Sequence, residues 1–195
     1  MMLGVAFIIL TAGLPVIAGL HLGMTADEVM STLRAHGGDP DIAPKPCLAD
    51  LLAQRSRTVT TIARYGSCVG SISERYAGGD LLLWFSEALP SRPGTSVLTE
   101  IALNYPSDQR VLSDVARRAG KPSLTDGSNP WTVAMWCYGF RCTDMDSVIL
   151  DPHSGPFLSI HVGCCLVVTD TEARTKYGSA LADALASRGV TILNR

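Results

Sequence analysis

The residues with the sharpest chemistry in this 195-residue chain are six cysteines, Cys47, Cys68, Cys137, Cys142, Cys164 and Cys165, and four histidines. Cys68 stands in Gly66-Ser-Cys-Val-Gly70, a G-x-C-x-G pattern that matches the hydrolase nucleophile elbow with Cys in place of Ser. An elbow needs a strand before the nucleophile and a helix after it. Residues 58–65 suit the strand, but residues 71–80 contain Gly78-Gly79 and read as a poor helix. A Cys68-dependent hydrolase is carried as an alternative. Cys137, Cys142, His161, Cys164 and Cys165 are of types that hold zinc or copper. Their spacing is C-x4-C and H-x2-C-C, not the two close pairs of a structural zinc site. Adjacent Cys164 and Cys165 in a strand would also point to opposite faces. Structural disulfides are the main expectation, with Cys47 bonded to Cys68 and Cys142 to Cys164, although six cysteines leave other pairings open. His21, His36 and His153 are isolated, and no Ser/His/Asp signature surrounds them.

Composition sets the surroundings of these groups. Charged residues make up 17% of the chain and the net charge is −2, with no basic stripe. That excludes nucleic acid as an expected partner. The first 26 residues carry no charged side chain, and residues 3–20 are nearly all apolar. Residues 1–18 are expected to be a signal peptide cleaved after Ala18, with cleavage after Gly13 or an uncleaved anchor as alternatives. No Cys lies near the end of the apolar run, so no lipid anchor is expected. Cysteines behind such a leader indicate an oxidising, periplasmic or extracellular location. No phosphate-cradling or dinucleotide glycine motif is present, and no cofactor is expected.

The elements that would position these residues begin with a repeated phrase. Thr25-Ala-Asp-Glu-Val-Met-Ser-Thr-Leu-Arg-Ala-His-Gly-Gly-Asp-Pro40 returns as Ser107-Asp-Gln-Arg-Val-Leu-Ser-Asp-Val-Ala-Arg-Arg-Ala-Gly-Lys-Pro122. Thr25 and Glu28 predict a capping box, and Val29, Met30 and Leu33 an apolar stripe. Ser107 is the predicted cap of the second helix, with Asp108 in its first turn. Residues 39–46 read as a proline-rich loop and residues 48–54 as a short helix. Strands are predicted over residues 58–69, 81–85, 97–105, 131–138 and 157–168. In the third of these, Val97, Thr99, Ile101, Leu103 and Tyr105 alternate with Glu100 and Asn104, so one face is buried and the other wet. A helix from Asp170 or Thr171 to Gly189 and a short strand over residues 190–193 complete the chain. The expected fold is α+β: two tandem helix-plus-antiparallel-sheet units, residues 19–105 and 106–195, with a C-terminal helix. Trp84, Trp131, Trp136 and Tyr138 lie in predicted strands. They form the core or, in the sharper reading, an exposed aromatic binding face.

Leu22-Gly-Met-Thr-Ala-Asp-Glu-Val29 followed by Gly38-Asp-Pro40 resembles the opening helix of the SmpA/BamE-like outer-membrane assembly lipoproteins and of domains of the beta-lactamase-inhibitor-protein type. The resemblance implies a helix preceding a small antiparallel sheet, doubled in the inhibitor type. It implies a non-enzymatic exported protein that binds another envelope or secreted protein. An inhibitor of an exported hydrolase is the alternative. No catalytic residue or metal ligand is carried over.

Overall fold

A computed structural model describes residues 15–54, 58–60, 66–126, 133–161 and 163–193. The architecture is mixed α+β, with five helices and an eight-stranded antiparallel sheet among the described residues. The elements run α1 (Ala26–Ala35), β1 (Asp41–Lys45), α2 (Leu48–Ala53), β2 (Thr58–Thr60), β3 (Cys68–Tyr76), β4 (Gly79–Ala88) and β5 (Arg92–Asn104). They continue α3 (Arg110–Ala119), β6 (Leu124–Asp126), β7 (Val133–Cys137), α4 (Met145–Leu150), β8 (Pro156–His161), β9 (Cys165–Asp170), α5 (Thr171–Ala186) and β10 (Thr191–Leu193).

The sheet order is β1-β3-β4-β5-β9-β8-β7-β6. Each half begins with a helix and lays down four strands, and the halves meet in mirror order at β5 and β9. The seam pairs Glu100 with Thr169, Ala102 with Val167 and Asn104 with Cys165. β2 and β10 pair in parallel as a separate two-stranded sheet.

The two helices of the repeated phrase start differently. The Thr25 hydroxyl accepts from the Glu28 amide at 3.3 Å, and the Glu28 carboxylate accepts from the Thr25 amide at 2.7 Å. Reciprocal bonds of this kind satisfy two donors that a helix start leaves unpaired. Ser107 does not cap α3. The helix begins at Arg110 behind Gln109, and the Ser107 hydroxyl donates to the Ala77 carbonyl at 3.3 Å. Asp108 lies before the first turn rather than in it, and accepts from the Arg110 amide at 3.0 Å and its guanidinium at 2.8 Å. Without Glu at position 110 no box can close, so the second start is held by contact with the β3–β4 turn.

Both helices bury their stripes on one face of the sheet. Val29, Met30 and Leu33 from α1 and Leu112 and Val115 from α3 join a core with Leu81, Leu83, Leu103, Leu158 and Leu166. The alternation in β5 is interrupted at Thr99. Leu98 pairs with Phe85 and Glu100 with Trp84, so a bulge turns Leu98 into the core in place of Thr99. Tyr105, expected on the buried face, is 72% exposed and has φ 50°, because the chain leaves the sheet there.

Other boundaries also differ from the expectation. Residues 41–45 form an edge strand, not a loop. Pro44 is tolerated because it lies beside a register shift on the edge. Residues 71–76, read as poor helix, belong to β3, which turns back at Ala77-Gly78. The run 157–168 is two strands, and Gly163 at φ 83° allows the reversal between them. A short helix, α4, lies between the strands predicted over residues 131–138 and 157–168. Asp144 caps it by accepting from the Ser147 amide at 2.8 Å.

The segment expected to be removed reaches into this core. Ile17 and Leu20 exchange backbone hydrogen bonds of 2.9 and 2.8 Å, and they are 1% and 0% exposed. Residues 1–14 lie outside the described residues. No helix among the described residues is long and apolar enough to cross a membrane. A chain beginning at Gly19 loses the burial of Ile17. It is expected to unfold at lower urea than a chain beginning at Leu14, by about 2 kcal/mol.

Candidate binding face

The sheet face opposite α1 and α3 can be read row by row from the strand register. One row is Ser71, Trp84, Glu100, Thr169, Phe157 and Cys137. The next is Ser73, Leu82, Ala102, Val167, Ser159 and Met135. The third is Arg75, Asp80, Asn104, Cys165, His161 and Val133. Every member points to this face, because directly paired residues share a side of the sheet.

Two helices cover parts of the face. α4 packs Val148 on Met135 and Phe157 at the β7–β8 end. α5 follows β9 through its cap at Asp170, which accepts from the Ala173 amide at 2.8 Å. It then reaches α2, where Leu185 packs on Leu51. Between α4 and α5 a cleft of ≈ 630 Å³ lies over β5, β9 and β8. Glu100, Val167, Ser159 and His161 are on its floor, and Thr171, Arg174 and Thr175 line it from α5. The Arg174 guanidinium pairs with the Glu100 carboxylate, which also accepts from the Thr169 hydroxyl at 3.1 Å.

The aromatic set expected to share one face is divided. Trp84 is on the open face and 36% exposed, in the row next to Leu82. Trp136 is a core residue on the opposite face, 5% exposed, and its indole N–H donates to the Gly120 carbonyl at 3.0 Å. Tyr138 packs half-buried against that same core, and burial pushes its phenol above the ordinary value. Trp131 lies outside the described residues. Trp84 and Trp136 therefore do not share a face, and Trp84 is the member of the set on the open side of the sheet.

The cysteines are all bonded. Cys47 is bonded to Cys68 with Cα atoms 5.2 Å apart, and Cys137 to Cys142 at 6.1 Å. Cys164 is bonded to its neighbour Cys165 in the β8–β9 hairpin, not to Cys142. The expected Cys142–Cys164 pairing fails because Cys142 follows Cys137 after a tight turn near α4, whereas Cys164 lies at the opposite end of β8. The same separation dismantles the metal set. Cys137 is in the first row and His161 and Cys165 are in the third, about 13 Å along the strands. Cys68 is 2% exposed and bonded, and a strand follows it where an elbow needs a helix. The Cys68 nucleophile is thereby corrected to a structural half-cystine.

One buried polar group had no sequence signal. Glu87 is 6% exposed beside the Cys47–Cys68 bridge. Its carboxylate accepts from the Leu48 and Gly94 amides, each at 2.7 Å. The half-buried Lys45 ammonium nearby donates to the Phe85 carbonyl. Burial holds the Lys45 pKa below its ordinary 10.5, and the Glu87 charge partly offsets that. On the other side of the bridge, Asp50 accepts from the Ser67 amide at 2.8 Å, the Ser67 hydroxyl at 2.7 Å and the Cys47 amide at 2.9 Å. These bonds hold its carboxyl below the ordinary 3.8.

The chain matches no protein-family model, no curated protein and no solved structure.

Proposed function

We propose that this protein is an exported binding module that docks another envelope or secreted protein on the open sheet face around Trp84. The observation that carries the reading is the contrast between the two faces. One is sealed by α1 and α3. The other presents Trp84 next to Leu82, framed by Ser71, Ser73 and the exposed Arg75–Asp80 ion pair. A large ring flanked by small polar groups fits a partner with a short apolar projection, because desolvated aromatic anchors carry most binding energy in such contacts. Three disulfides fit an oxidising compartment.

A photoactivatable benzoylphenylalanine at position 84 is expected to give a discrete cross-linked band in cells. The same group at exposed Ile42, on the sheet edge, serves as the comparison. Once the partner is captured, Trp84→Ala is expected to weaken binding by about 2 kcal/mol, roughly 30-fold, in a titration with the purified pair. Equal cross-linking at both positions, or none at either, removes the basis for this face.

A further inference from the structure

We infer that the cleft between α4 and α5 is a binding site for a small zwitterion, namely a free α-amino acid with a large apolar side chain. Three observations lead there. First, the site contains one cation and one anion side by side, each with an unused edge. Arg174 uses one terminal nitrogen on Glu100 Oε2. Among the described residues its other guanidinium nitrogens have no partner, and neither has Glu100 Oε1. The Arg174 side chain is 48% exposed and that of Glu100 is 19%. An α-carboxylate can dock on the free edge of the guanidinium while the α-ammonium meets Glu100 Oε1. A simple anion would face the Glu100 charge, and a simple cation the Arg174 charge. A ligand carrying both charges meets each group with its opposite, whereas a simple ion is attracted by one and repelled by the other.

Second, polar groups without protein partners converge on the same space. Ser159 is 5% exposed and lines the cleft, yet its hydroxyl makes no hydrogen bond among the described residues. A hydroxyl that opens into a cleft without a protein partner is available to a ligand or to a water that a ligand displaces. Thr171 and Thr175 flank Arg174 on one side of α5, at the spacing that puts helix positions on a common face. Third, the remaining walls are apolar. Phe157, Val167 and Ile149 line the cleft, and its ≈ 630 Å³ falls in the range of ligand pockets. They suit the side chain of such an amino acid.

The site shares the sheet face with Trp84 but does not depend on a protein partner there. Trp84 does not line the cleft and is one of three tryptophans, so occupancy is read by calorimetry. Titration of the isolated full chain with L-leucine and L-phenylalanine is expected to give saturable binding. N-acetyl-L-leucine, which lacks the ammonium, and L-leucinamide, which lacks the carboxylate, are each expected to bind about 10-fold more weakly or worse. In Arg174→Gln the preference for leucine over leucinamide is expected to disappear, with the melting temperature recorded to confirm folding. The inference is overturned if either blocked compound binds as tightly as leucine, or if no amino acid in the panel binds at millimolar concentration. Both outcomes are read on the unaltered chain, so they stand even if the variant misfolds, and they are independent of cross-linking at position 84.

Discussion

Glu87→Ala is expected to lower the free energy of unfolding by about 3 kcal/mol, measured by urea unfolding of the oxidised protein. The carboxylate is buried and bridges the amide at the start of α2 to the amide of Gly94 near the start of β5. Its removal leaves two amides without acceptors and the Lys45 ammonium without its opposing charge. Glu87→Gln keeps one acceptor oxygen and is expected to cost less, but its NH2 group cannot accept from the second amide. A pH series separates the charge from the packing. The folded pKa of Lys45 is already depressed, so the unfolded chain binds more protons between that folded value and 10.5, and stability rises with pH across this window. Without Glu87 the depression deepens. In Glu87→Ala the alkaline rise is therefore expected to begin at lower pH than in the parent.

Replacing both Cys47 and Cys68 with Ser is expected to destabilise by about 3 kcal/mol, again by urea unfolding. The bridge spans 21 positions and ties the start of α2 to the start of β3. Cutting it frees the unfolded chain and loosens the Leu51–Leu185 contact through which α5 meets α2. Amide exchange over residues 48–53 is expected to quicken more than exchange in β4. The Cys164–Cys165 bridge has a separation of 1 and closes no chain loop, so its removal is expected to cost much less. Asp50 makes the first comparison pH-dependent. Its folded pKa is depressed, so its contribution is present above 3.8 and is lost as pH falls through the folded value.

What could be read from the chain followed local chemistry. Thr25 and Glu28 are three residues apart, and their reciprocal bonds need nothing else from the fold. Glu100 and Asn104 alternate with apolar neighbours, and they do lie on the face opposite α1 and α3. Edge strand β1 was hidden because Pro44 argues against a strand unless the strand is an edge, and edges are decided by topology. The Thr99 bulge was hidden for a related reason, since only pairing with Phe85 and Trp84 shows which residue is extra. Trp84 and Trp136 both stand in strands, yet β7 reads Val133-Ala-Met-Trp-Cys137, apolar at every position. Alternation therefore gave no sign of which face Trp136 takes. The cleft joins Glu100 to Arg174 across 74 positions, and no local pattern connects them. Glu87 was invisible too, because its partners are backbone amides whose approach depends on α2 being tied down.

The mirror order of the sheet has a consequence for how the chain comes into being. The first half ends with β5, its longest strand, and the strand that pairs with its outer side is β9. As the chain emerges from its N-terminus, the first half is complete while Cys165 to Asp170 are still to come. Through that interval β5 is an unpaired edge that carries Leu98, Ile101 and Leu103 and has none of the Lys or Pro blunting over residues 96–104 that finished edges use. The seam that unites the two halves in the finished protein is, during synthesis, the place where two unfinished copies can pair with each other.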